Sequence, residues 1–172
     1  MTYLEEYAGL IDRREVVVGH WIRAEVHNLV RDLQDPAFTY DTTEAHKRIR
    51  FMETMCLQTR APYYKKPIVL MPWQKAWREA VYSFRMSDTR HRRFTEGLLE
   101  VARKNGKSTM FAADGESDLF CGEGGTDICC ASNDDRQARL IWEEINGMRE
   151  RLDPKKALTR KTLTQIRNPG KN

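Results

Sequence analysis

The residues with the clearest chemical potential are Gly106-Lys107-Ser108-Thr109. They follow an apolar run, Leu98-Leu99-Glu100-Val101-Ala102, and a polar turn, Arg103-Lys104-Asn105. The pattern predicts a strand over 97–102, then a helix from Lys107 to about Phe120. Such a strand–turn–helix unit exposes successive backbone N–H groups at one point, and the helix start adds partial positive charge there. That is the setting in which a phosphate is held. Gly106 lets the backbone approach closely, and Lys107 can reach the β- and γ-phosphates of a nucleotide. The Ser108 hydroxyl can sit on Mg²⁺, and Thr109 can bond a phosphate oxygen. The run departs from G-x-x-x-x-G-K-[ST], because Val101 stands five positions before Gly106. These residues alone leave two readings open: a phosphate site, or a solvated charged turn carrying Arg103, Lys104 and Lys107.

Other reactive side chains are scattered. Cys56 and Cys121 are isolated, and Cys129–Cys130 are adjacent. Neighbours on a strand point to opposite faces, so that pair makes poor joint metal ligands. The expectation is small buried thiols in a reducing compartment. His20 and His27 read as surface or half-buried helix residues. Lys47, Arg48 and Arg50 read as a solvated basic helix face.

The elements that must position these residues are mostly helical. Ile22, Val26, Leu29 and Leu33 recur at helix spacing and predict a helix over 14–34, stopped at Asp35–Pro36. A second helix is predicted from about Thr43 to Gln58, burying Ala45, Ile49, Met52 and Cys56. Residues 59–73 are Pro-punctuated and irregular. A third helix runs from Gln74 to about Met86, with Trp77, Val81 and Phe84 toward a core. The basic loop Asp88–Arg93 follows. After the loop helix come a turn over Gly122–Gly125 and a short buried strand over Thr126–Ala131. A last helix starts at Ser132, with Asp135 as capping partner. Its stripe is Ala138, Ile141, Ile145, Met148 and Leu152, and Asp153–Pro154 ends it. Strand–helix–strand–helix order in the second half argues for a parallel α/β sheet with an N-terminal helical lead-in.

Composition sets outer limits. With 172 residues the chain has room for one domain, or one domain plus a helical appendage. Apolar runs such as Ile68–Met71 fall far short of the ~20 residues of a membrane helix. Four Trp and 9% aromatics exclude a solvated, disordered chain. Residues 1–15 carry acids early and lack a long apolar stretch, so no secretory leader is expected and a cytoplasmic location is. The net charge is only +4. That argues weakly for a dedicated nucleic-acid module built on Lys47–Arg50, Arg90–Arg93 and the acid-free tail from Lys155.

Three elements in order carry a resemblance. They are Leu70-Met71-Pro72-Trp73-Gln74, then Arg103-Lys104-Asn105-Gly106-Lys107-Ser108, then Cys129-Cys130-Ala131-Ser132 with the polar helix containing Gln137-Ala138. Over about residues 45–152 the chain resembles the start of the tailed-phage terminase large subunit of the HK97-type group. In that family the first loop glycine is commonly replaced. The resemblance implies an α/β P-loop NTPase of the ASCE or RecA-like type. Residues 1–60 would be a helical N-terminal region and 61–172 a partial ATPase core. It implies ATP and Mg²⁺ as cofactors. Gln74 would read the adenine edge, Trp73 would pack beside the base, and Lys104 and Asn105 would belong to the loop. Arg103 and Lys107 would act on the γ-phosphate, and Ser108 would hold the metal. It also implies double-stranded DNA, a small terminase subunit and a portal protein as partners. The complete motor would be a homo-oligomeric ring, without a membrane, in the bacterial host cytoplasm. A different helicase-like translocase is the alternative within the same chemistry.

The resemblance also marks what is missing. Family members place two adjacent acids after four apolar residues, to hold Mg²⁺ and activate water. No run of four apolar residues followed by two adjacent acids occurs after Ser108. Glu143–Glu144 lie on an amphipathic helix. The expectation is an incomplete sheet, nucleotide binding without useful turnover, and a poorly stable or aggregation-prone piece, because the two predicted strands lack their usual neighbour.

Overall fold

A computed structural model describes residues 1–124 and 127–170. They form two compact units. The first holds Met1–Ile49 and Leu70–Glu100; the second holds Arg50–Val69 and the residues from Val101 onward.

The first unit opens with α1 (Tyr3–Asp12). Thr2 and Glu5 form its capping box: the Glu5 N–H donates to the Thr2 hydroxyl, and the Thr2 N–H donates to the Glu5 carboxylate at 2.7 Å. The helix buries Leu4, Tyr7, Ala8 and Ile11. Arg14, at φ 60°, turns the chain out of the helix, and α2 (His20–Asp32) starts only after Gly19. The helix expected over 14–34 is therefore shorter at its start, because a left-handed residue cannot continue a right-handed helix. Its stripe holds in part: Val26 is buried and Leu29 and Leu33 pack on the core, but Ile22 is 52% exposed.

Strand β1 (Phe38–Tyr40) follows, then α3 (Thr43–Met55), α4 (Pro72–Ser83) and β2 (Phe84–Met86). The strands β1 and β2 pair antiparallel, with Tyr40 opposite Phe84 and Phe38 opposite Met86. The helix expected to reach Met86 stops at Ser83 because Phe84 turns extended. There it is fully buried and meets the Tyr40 ring edge-on at 4.6 Å between centroids. Aromatic cross-strand packing outweighs local helix propensity at this point. The core face of α4 is Ala76 and Ala80, with Trp77 and Val81 only half-buried. Ala45, Ile49, Met52 and Cys56 are buried as α3's spacing requires. Arg48, expected on the solvated face, is buried; it pairs with Glu44 and lies 4.5 Å from the Tyr82 ring centre.

Glu79 organises the first unit. Its buried carboxylate accepts hydrogen bonds from the Tyr3 and Leu4 N–H groups at the start of α1 and from the Tyr40 hydroxyl at 2.8 Å, and it pairs with His46. A helix start carries unpaired N–H groups and partial positive charge, so a carboxylate there is doubly favoured. Burial, reinforced by the charge of Glu79, pushes the Tyr40 phenol up.

The second unit contains α5 (Lys107–Cys121) and α6 (Asp135–Leu152), packed on each other. Met110, Ala112 and Ala113 are buried on α5; Ile145 and Met148 are buried on α6. Gly115 permits the close approach, since a Cβ there would meet Ile145 at 3.1 Å. Helix α6 is capped by Asp134, whose carboxylate accepts the Arg136 N–H, and so begins past the expected Ser132. It ends at Leu152, where Asp153 turns back. The Asp153 carboxylate accepts from the Ala157, Leu158 and Thr159 N–H groups and the Thr159 hydroxyl. Then β3 (Arg160–Lys161) and β4 (Ile166–Arg167) form a short antiparallel hairpin.

Among the described residues the strands make two two-stranded antiparallel sheets. Residues 97–102 and 127–131 are irregular, so the expected parallel sheet is not formed by them. A strand exists only through ladder bonds to a neighbour. Leu98 is 91% and Ile128 47% exposed. Gly125 of the expected turn, Thr126 of the expected strand, and Lys171 and Asn172 of the tail lie outside the described residues.

Candidate functional site

The loop ahead of α5 is built by backbone geometry. Lys104 and Gly106 both take left-handed φ, 70° and 72°, with Asn105 between them. Asn105 donates from its side-chain amide to the Ala102 carbonyl at 3.1 Å, closing the turn. Left-handed residues alternating with ordinary ones fold successive N–H groups into one concavity, which suits an anion. Gly106 is the N-cap of α5, and among the described residues no side chain caps that start. The first helical bond runs from the Met110 N–H to the Gly106 carbonyl. The N–H groups ahead of it therefore have no helical acceptor. Arg103, Lys104, Lys107 and Ser108 are exposed around them.

This arrangement fits a nucleotide's phosphates. The nest and helix start supply N–H donors and positive potential, Lys107 supplies a mobile charge, and the Ser108 hydroxyl is free to reach a hydrated Mg²⁺. Among the described residues no group of three or more His, Cys, Asp or Glu side chains could hold a metal ion. A cation at Ser108 would take its remaining ligands from water and phosphate.

Thr109 is placed differently from its three predecessors. It is half-buried, and its hydroxyl donates to Glu144 Oε1 at 2.8 Å. Glu144, on α6, is buried; the same oxygen accepts from the Thr59 hydroxyl at 3.2 Å, and Oε2 lies 3.7 Å from Arg60 Nε. The spacing of α6 contained this signal: Glu144 falls three residues after Ile141 and four before Met148, on the apolar face.

A second buried acid sits further along α5. Glu116 is fully buried, and among the described residues neither carboxylate oxygen has a hydrogen-bond partner. Burial pushes it up to about 8, against the opposing charge of Arg149.

Trp73 and Gln74 belong to the first unit, at the start of α4. Gln74 is buried, and its Oε1 accepts the Met71 N–H at 2.8 Å, so the side chain caps its own helix. Trp73 packs against the core of Leu4, Tyr7, Ala76 and Phe84. A cavity of about 120 Å³ opens at the same helix start, lined by Tyr3, Glu6, Leu70, Pro72 and Lys75. No helix of the described residues is long and apolar enough to cross a membrane.

The family model for the terminase large subunit, ATPase domain, matches residues 72–170, more than half of the chain. The match contains the Trp73–Gln74 element and the whole loop from Arg103 to Thr109. No curated protein and no solved structure matches.

Proposed function

The chain belongs to the terminase large subunit ATPase-domain family, and from that membership we propose that it is the nucleotide-gripping part of a DNA-packaging motor. The observation that carries this reading is the loop: two left-handed residues, an uncapped helix start, and the exposed Lys107 and Ser108 within the matched span. We assign the β- and γ-phosphates of ATP to the N–H nest and Lys107. Arg103 closes on the γ-phosphate, since a planar guanidinium can bond it at two points. Ser108 carries the Mg²⁺, with Lys104 and Asn105 shaping the loop. Gln74 is assigned to the adenine edge and Trp73 to the side of the base, on the family motif within the matched span.

Magnesium-bound ATP supplies a phosphoanhydride whose hydrolysis releases free energy for movement. What this chain's residues do is bind and orient it. Hydrolysis requires an acid to hold the metal and another to direct water; after Ser108 no run of four apolar residues leads into two adjacent acids, and Glu143–Glu144, preceded by three, lie within α6. In the complete motor, residues 98–102 and 127–131 would join a parallel sheet around an acid-bearing strand, with residues 1–60 as a helical preface. Double-stranded DNA, a portal, a small subunit and further copies in a ring are the proposed partners, in a bacterial cytoplasm.

Isothermal titration with Mg²⁺-ATP tests this reading. Saturable binding that Lys107→Ala abolishes is the expected result. Equal binding by Lys107→Ala removes the loop assignment.

A further inference from the structure

We propose that Glu144 is a positioning residue for the phosphate loop, acting through Thr109 without touching the nucleotide. This rests on the phosphate-loop reading above. The Thr109 hydroxyl has one proton, and the structure gives it to Glu144 Oε1 at 2.8 Å. Thr109 therefore docks the first turn of α5 onto α6 and does not donate to a phosphate. The acceptor is well prepared for that task. Glu144 is 4% exposed, it accepts a second hydroxyl from Thr59, and Arg60 stands 3.7 Å from its other oxygen. A buried carboxylate close to a polyanion would repel it; two hydroxyl donors and a guanidinium offset that charge. The start of α5 must hold its N–H groups within a few tenths of an ångström to serve a phosphate. Thr109 is the residue directly after Ser108, so its anchor fixes that register.

The test is titration of the full chain with Mg²⁺-ATP, with a thermal melt of each variant. Glu144→Ala and Thr109→Val should each weaken ATP about tenfold, the scale of one lost hydrogen bond to a charged acceptor. The double variant should be no weaker than Glu144→Ala, because both changes cut the same link. Glu144→Gln keeps an amide oxygen to accept both hydroxyls and should recover most of the affinity. Glu143→Ala, an exposed neighbour, should bind as the parent does. Thr109→Val weak beside a normal Glu144→Ala would mean that Thr109 serves the phosphate itself, and would overturn the proposal. Glu144→Gln as weak as Glu144→Ala would overturn it too. If Glu144→Ala does not fold, the near-isosteric Glu144→Met takes its place: binding weakened as in Thr109→Val supports the proposal, and binding near the parent's overturns it. Loss of binding in Lys107→Ala with none in either Glu144 variant rejects this inference alone. A parent chain that binds no ATP rejects both readings.

Discussion

Gln74 Oε1 accepts the Met71 N–H at 2.8 Å, so the side chain assigned to adenine already works as the N-terminal cap of α4. The two roles separate by chemistry. Capping uses the carbonyl oxygen, whereas reading adenine needs the amide's donor as well. Gln74→Glu should keep the cap and lose preference for ATP over GTP. Gln74→Ala should lose both, with a stability cost of about 1 kcal/mol. Chemical denaturation and nucleotide competition read the two effects independently. Unchanged base preference in both variants would leave Gln74 a cap only.

Glu116 makes stability depend on pH in an unusual direction. Its carboxyl is raised from an ordinary 4.5 to about 8 by burial. The folded state then binds a proton that the unfolded state releases. Its contribution is complete below about pH 4.5 and declines as pH rises toward 8. The decline is at most about 1.4 kcal/mol per pH unit. Glu116→Gln removes the ionisation and should flatten that limb, raising the melting temperature at pH 8 above the parent's. Melts from pH 5 to pH 9 check this. A parallel pH profile in the variant would show that Glu116 is not the titrating group.

Much of this was legible beforehand, and the reasons for the failures are physical. The helices α3, α4, α5 and α6 are legible in the sequence because local periodicity and caps define them: Ala45, Ile49 and Met52 share a face, and Asp153–Pro154 stops α6. The capping box Thr2–Glu5 is an equally local signal for the start of α1. Strands are different, since each depends on a distant partner. Helical spacing places Phe84 in a helix, whereas in the structure it pairs with Tyr40 across 44 positions. Residues 97–102 looked like a strand by composition, yet no partner for them lies among the described residues. In the loop, Gly106 and Lys107 were legible from residue type. The Thr109–Glu144 contact spans 35 positions and needed coordinates.

Asp153 fixes the chain after α6. Burial opposes its charge, but the Thr159 hydroxyl and the Ala157, Leu158 and Thr159 N–H groups hold its carboxyl below the ordinary range. Such a depressed group stabilises the fold above its unfolded pKa, and that contribution fades as pH falls through the folded value. Asp153→Ala should lower the melting temperature at pH 7 and open residues 157–159 to hydrogen exchange. The deficit relative to the parent should shrink in acid. Protection of those amides unchanged in the variant would assign the turn to other contacts.

The hairpin after that turn is where the proposed DNA partner has its simplest electrostatic foothold. Arg160, Lys161 and Arg167 are exposed, and no acid follows Asp153 in the sequence. Each phosphate neutralised releases condensed counterions, so affinity for duplex DNA falls with salt at a log–log slope of about −0.9 per contact. Replacing all three by Ala should weaken duplex binding and reduce the steepness of that slope by up to about 2.7. ATP binding at the loop should be untouched, since none of the three belongs to it. Fluorescence anisotropy with a short duplex across a salt series measures both quantities. An unchanged slope would move the DNA contact elsewhere, to the exposed Lys47 and Arg50 or to the loop over Asp88–Arg93.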